Sequence, residues 1–80
     1  MRTKTIIDGF KNSQKVRVIL NGIIFYTTVK EMASDLFGNT DQRVAVLDAM
    51  MALAMQRRHE TAAIALSGRW RGYEVQVDII

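Results

Sequence analysis

The dipeptide Asn21-Gly22 lies between two runs that are rich in β-branched and aromatic residues, KVRVIL and IIFYTT. A two-residue type I′ turn needs a positive φ at both central residues, and Asn-Gly is a pair that adopts this conformation readily. So short a turn fixes the register of the two strands and therefore decides which side chains share a face. The sequence predicts a β-hairpin over residues 15–28.

The predicted register divides the side chains of the hairpin into two faces. One face is suited to a core: Val16, Val18, Leu20, Ile23, Phe25 and Thr27. The other is mixed: Lys15, Arg17, Ile19, Ile24, Tyr26 and Thr28. We expect the first face to be structural and the second to be available to a partner.

Two helices are predicted after the hairpin. The spacing of Thr28 and Glu31 in TVKE matches a capping box, which predicts a short helix that ends at Gly38. Asn39 or Thr40 can cap a longer helix that starts at Asp41 and reaches at least Arg58.

Further strands are predicted near both ends of the sequence. Residues 3–8 (TKTIID) resemble a strand, and YEVQVDII alternates apolar and polar residues as a half-buried strand does. Residues 61–67 fit either a helix or a strand. If the strands are adjacent, Lys15 and Arg17 can pair with Glu74 and Asp78.

These segments predict one small α+β domain over residues 1–80. The expected order is β-β-β-α-α-β, with a four-stranded, mainly antiparallel sheet and two helices on one face. A chain of 80 residues buries a limited core, so efficient packing or association of subunits would contribute to its stability.

Composition narrows the class of protein. The chain has no cysteine and is 49% hydrophobic, with a net charge of +3. It contains no apolar run long enough for a signal peptide or a membrane span. We therefore expect a cytoplasmic protein that does not contact membranes, with only a weak preference for anionic partners.

Catalytic and metal-binding motifs are not found in the sequence. His59 is the only histidine, and the serines form no nucleophile motif with it. Asp41 and Asp48 lie two helical turns apart, but each has a simpler role. Asp41 suits the start of a helix, and Asp48 suits the solvent-exposed edge of an apolar helix. The sequence predicts no enzyme activity, cofactor, metal site or small-molecule substrate.

The predicted long helix is apolar on more than one side. One stripe contains Val44, Leu47, Met51 and Met55, and a second contains Val46, Met50 and Leu53. A helix on a sheet needs one such stripe, so the other predicts an interface, with a homodimer as the expected assembly. The residues predicted to form the interface are Ile19, Ile24, Tyr26, Val46, Met50 and Leu53.

A basic and aromatic segment supports an alternative function. SGRWRGYE combines arginines with aromatic rings, as proteins that bind single-stranded nucleic acids do. The residues of this alternative site are Arg57, Arg58, Arg69, Trp70, Arg71 and Tyr73.

The leading hypothesis is a non-enzymatic protein-binding module that acts stoichiometrically. In size and style the chain resembles the small accessory proteins of phages and plasmids. These often occlude a host complex, as anti-CRISPR inhibitors do, and the resemblance implies an inhibitor of that kind.

Overall fold

A computed structural model describes residue 7 and residues 9–34, 39–59 and 63–80. Its elements in chain order are β1 (Lys15–Leu20), β2 (Ile23–Thr28), α1 (Val29–Met32), α2 (Thr40–Arg58), β3 (Ala65–Trp70) and β4 (Tyr73–Ile79). The four strands form one antiparallel sheet in the order β2-β1-β4-β3. The predicted α+β class, with four strands and two helices, is confirmed.

The predicted order of elements is wrong in one respect. Two of the four described strands precede the helices and two follow them, so the described order is β-β-α-α-β-β. The strand predicted at residues 3–8 lies outside the described residues except for Ile7, which is buried at a bend. The open question about residues 61–67 is answered from Ala65 onward, where the chain is a strand.

The first hairpin has the predicted turn and register. Asn21 and Gly22 have φ values of 48° and 85°, as a type I′ turn requires. Leu20 lies opposite Ile23, and the pairing continues without interruption to Lys15 opposite Thr28.

A second hairpin joins β3 to β4 and was not predicted. Arg71 and Gly72 have φ values of 53° and 84°, so this turn repeats the geometry of the first. An arginine is seldom found at a positive φ, which is why RG is a weaker turn signal than NG. The segment SGRWRGYE is therefore the end of β3, a tight turn and the start of β4.

Asn21 also connects the two hairpins. Its backbone N–H donates to the Glu74 carbonyl at 2.8 Å, and its side-chain oxygen accepts from the Glu74 N–H at 3.0 Å. The turn of the first hairpin is thus bonded to the start of β4, and the central strands β1 and β4 are aligned from this end.

Both helices begin at the predicted caps. The Thr28 hydroxyl accepts from the Glu31 N–H at 3.2 Å, but α1 is a single turn that ends at Met32; the predicted end at Gly38 lies outside the described residues. The Asn39 side chain accepts from the N–H groups of Asp41 and Gln42, and α2 ends at Arg58, the minimum extent that the sequence predicted. None of the described helices is long and apolar enough to cross a membrane.

The core lies between the helices and one face of the sheet. It contains Val16 and Val18 from β1 and Val75 and Val77 from β4, all at most 2% exposed. The long helix α2 lies mainly across β3 and β4, so the end of β2 near the turn is less covered. Ile23, predicted to be in the core, is for this reason 61% exposed.

The buried stripe of α2 is Val46, Met50 and Leu53. All three are completely buried in the monomer and belong to the core cluster. Their prediction as interface residues is therefore corrected, because side chains packed against the sheet cannot contact a partner.

Candidate protein-binding face

The second face of the sheet, here called the outer face, points away from both described helices. The strand register arranges its side chains in rows that cross the sheet. One row runs Ile24, Ile19, Gln76, Ser67, and the next runs Tyr26, Arg17, Asp78, Ala65. Ile19, Ile24 and Tyr26 therefore lie together, as the hairpin register predicted.

These three residues form the outer patch. Ile19 lies directly opposite Ile24, and Tyr26 is one row away on the same strand as Ile24. Ile24 is 54% exposed, Tyr26 is 70% exposed, and Ile19 is half-buried between its neighbours. A contiguous apolar surface that includes an aromatic ring is the type of surface that protein interfaces use at their centre.

A polar network adjoins the outer patch. Arg17 donates to one oxygen of Asp78 through Nε at 2.8 Å and through Nη2 at 2.6 Å. Gln76 Nε2 donates to both oxygens of the same carboxylate, at 3.1 and 3.2 Å. The side chains of Arg17 and Gln76 shield Asp78 from solvent, so Asp78 is buried although no described helix covers this face. The predicted pairing of Arg17 with Asp78 is confirmed.

Electrostatics holds Arg17 in its charged form. The hydrogen bond to Asp78, together with the opposite charge of that carboxylate and a smaller contribution from Tyr26, raises the pKa of Arg17. When folding raises the pKa of a cation, the stabilising contribution of that cation is complete at pH values below the unfolded-state pKa. It is lost only as the pH rises through the folded-state pKa. The charge of Arg17, and therefore its contribution to stability, is constant throughout the neutral pH range.

We expect Asp78→Ala to lower the melting temperature by several degrees. The substitution removes the acceptor of four hydrogen bonds and leaves Arg17 and Gln76 without it, whereas exposed ion pairs contribute little. Glu74→Ala is the matched control, because the Arg69–Glu74 pair of 3.0 Å is exposed on both sides. Thermal unfolding followed by circular dichroism measures both, and equal shifts would contradict a structural role for the network.

A shallow groove of about 500 Å³ lies beside the outer patch, toward the turns. Ile19 forms one side, and Arg69, Glu74 and Gln76 provide polar groups on the other. The outer patch therefore has a polar rim on the side of β3 and β4, the arrangement typical of protein interfaces.

The other stripe of α2 is accessible. Met51 is 48% exposed and Met55 is 58% exposed, whereas Val44 and Leu47 are half-buried. The predicted choice between two stripes is resolved by packing: the stripe with Met50 faces the sheet and the stripe with Met51 faces outward.

The residues proposed for nucleic-acid binding do not meet at one surface. Arg69 lies on the outer face and donates to Glu74, whereas Arg71 lies in the turn and donates through Nε to Asp48 at 3.0 Å. The guanidinium of Arg57 lies 5.3 Å above the ring of Phe10. Since positions 48 and 57 are nine residues apart on α2, about 14 Å of helix separates them. Arg58 is exposed at the end of α2.

The two aromatic residues of that alternative site belong to the inner side of the sheet. Trp70 and Tyr73 are half-buried and pack against the core. A Cβ at position 68 would lie 2.9 Å from Cη2 of the Trp70 indole, so this ring lies over Gly68. The glycine within β3 is explained by this close approach.

The candidate chemical residues are dispersed. His59 is exposed at the C-terminal end of α2, and the Asp48 carboxylate forms an ion pair with Arg71. Within the described ranges, no group of three or more His, Cys, Asp or Glu residues is placed to hold a metal ion.

Comparison of the chain with protein-family models, with curated proteins and with solved structures finds no match. The geometry of the outer face is therefore the basis for the functional proposal.

Proposed function

We propose that this protein is a non-enzymatic module that binds a protein partner stoichiometrically through the outer face of its sheet. The observation that carries the proposal is the outer patch: Ile24 and Tyr26 are more than half exposed and lie beside Ile19. Buried aromatic contacts, tyrosine among them, that are surrounded by polar groups provide much of the affinity in protein complexes.

The shape of this face supports a mode of action by occlusion. A four-stranded sheet presents a broad, gently twisted surface instead of a deep cavity. A partner that covers the outer patch also covers the Arg17–Asp78 network, so binding would occlude a comparable area of the partner. An accessory inhibitor of a larger complex, such as phages and plasmids encode, would act in this way.

Nucleic-acid binding has less support from the geometry. Arg69, Arg71 and Arg57 each contact another side chain of the protein, and the rings of Trp70 and Tyr73 pack inward. A basic surface that tracks a phosphate backbone needs its cations along one groove.

We expect Ile19→Lys to abolish capture of the partner. The added charge lies at the centre of the outer patch, where it would have to be desolvated in the complex. The measurement is co-purification with the tagged chain from its native host, with identification and stoichiometry of the bound protein. Met55→Lys, on the exposed side of α2, is the matched control and should capture the same protein as the parent.

Two results would contradict the proposal. Equal capture by Ile19→Lys and the parent would remove the outer patch from the interface. Recovery of nucleic acid with salt-dependent retention, in place of a protein, would favour the alternative site.

A further inference from the structure

The backbone of β2 has an edge that pairs with nothing in the described structure. The Lys15 carbonyl accepts from Ile80, and the Asn21 N–H donates to Glu74, so the odd-numbered residues of β1 direct their backbone groups toward β4. Backbone direction alternates along a strand, and the even-numbered residues of β1 therefore face β2.

The same alternation assigns the groups of β2. The partners of the even-numbered β1 residues are Ile23, Phe25 and Thr27, whose backbone groups point inward to β1. Ile24 and Tyr26 thus direct both N–H and C=O away from the sheet. The outer patch and the outward backbone groups belong to the same two residues of β2.

The sequence of β2 itself carries none of the features that usually prevent pairing between sheets. Exposed edges commonly carry a charge, a proline or a bulge, whereas IIFYTT has neither charge nor proline and pairs with β1 without interruption. Its apolar side chains are exposed on both faces of the strand, with Ile23 on one and Ile24 and Tyr26 on the other.

The opposite edge of the sheet is better protected. Strand β3 contains Gly68, which weakens a strand, and Arg69, a charge on the edge. The exposed side chains of Ala65 and Ser67 are also small, so this edge offers little apolar area.

We propose that β2 pairs with β2 of a second copy of this chain, antiparallel about a two-fold axis, to give a continuous eight-stranded sheet. The strand is complementary to itself. With Phe25 on the axis, Ile24 lies opposite Tyr26 of the partner subunit, and the two-fold axis repeats this pair.

Several observations favour a second copy over another occupant. Both outward residues form hydrogen-bonded pairs in this register, and each such pair exchanges two backbone bonds, four in total. Ile opposite Tyr is a favourable β-branched and aromatic pair. An uncharged strand also meets its own copy without like-charge repulsion, as a two-fold interface requires. The interface is small, so we expect a reversible dimer.

The dimer goes beyond the proposed function, because it depends on the backbone edge of β2 and not on another protein. It replaces the α2 interface predicted from the sequence. It would also bring the outer patches of two copies side by side and give the complex two equivalent binding faces.

The test is the oligomeric state of the full chain and of Tyr26→Pro, measured by sedimentation velocity across a concentration series. Proline removes an outward N–H and blocks the edge, but it takes no bond from the β1–β2 ladder. We expect a dimeric parent, a folded monomeric Tyr26→Pro, and a dimeric Ser67→Pro, which makes the corresponding change on the β3 edge. Ile19→Lys should also remain dimeric, which separates this inference from the proposed function.

Hydrogen exchange of the parent provides a second measurement that needs no variant. Amide protection at Ile24 and Tyr26 should rise severalfold between about 10 and about 500 µM protein, because these amides have no partner among the described residues and gain one in the dimer. A parent that is monomeric throughout the series, a Tyr26→Pro variant that is folded and still dimeric, or protection that does not change with concentration would overturn the proposal. Loss of the dimer in Ser67→Pro alone would also overturn it, by placing the interface at β3.

Discussion

Met50→Lys should unfold the domain, whereas Met51→Lys should leave it folded. The two residues are adjacent and lie about 100° apart around α2. Met50 is completely buried against the sheet, and Met51 is 48% exposed. Loss of a buried methionine alone costs about 2–5 kcal/mol, and a buried charge adds to this. A domain of 80 residues has a total stability of roughly 4–12 kcal/mol.

The difference can be measured with urea unfolding monitored by circular dichroism. Met51→Lys should stay within about 0.5 kcal/mol of the parent, as exposed substitutions usually do. It should also retain the dimer, because the proposed interface is the edge of β2. A folded Met50→Lys variant would show that the helix does not pack on the sheet through this stripe. A folded monomeric Met51→Lys variant would restore the α2 interface predicted from the sequence.

Substitution of both residues of the first turn should have the second-largest effect. Asn21→Ala with Gly22→Ala places two Cβ-bearing residues at φ values of 48° and 85°. The alanine that replaces Gly22 costs about 1–2 kcal/mol, and the change at Asn21 adds a smaller term because asparagine already carries a Cβ at positive φ, so we expect a loss of about 2–3 kcal/mol. The loss of the Asn21 side-chain bond to the Glu74 N–H adds to this cost.

The second turn provides the control. Arg71→Asn creates an Asn-Gly pair at the corresponding position, where Asn adopts a positive φ more readily than Arg. It also removes the partly exposed contact with Asp48, a pair of a kind that contributes little. The melting temperature of Arg71→Asn should therefore equal or exceed that of the parent. If the double substitution at residues 21 and 22 left the melting temperature unchanged, the type I′ assignment would be wrong.

Local chemistry explains which parts of the fold were predictable. Asn21-Gly22 determines a turn within four residues, and Asn39 caps α2 through atoms two and three positions away. The alternation in YEVQVDII likewise depends only on neighbours. The outer patch was predicted from the sequence because a two-residue turn places Ile19, Ile24 and Tyr26 on one face without reference to the rest of the chain.

Tertiary packing determines the parts that were not predicted. Gly68 interrupts the pattern of β3, and only the position of the Trp70 ring shows why a strand tolerates it. The two stripes of α2 are similar in composition, and the sheet selects the one with Met50. Burial by the opposite layer is a property of the whole fold, so the interface role predicted for Val46, Met50 and Leu53 could not be tested within the sequence.

The placement of β1 beside β4 has a consequence for how the chain reaches its native state. The central pair Arg17 and Asp78 is separated by 61 positions. Each hairpin can form from neighbouring residues. Pairing of β1 with β4 requires two distant segments to meet, which carries a larger loop-closure entropy cost and is expected to be slower. Until that encounter, β1 has an unpaired edge in addition to that of β2. Nascent or refolding chains would therefore pass through an interval in which both sides of the first hairpin are open to other strands, and refolding yield should fall as protein concentration rises.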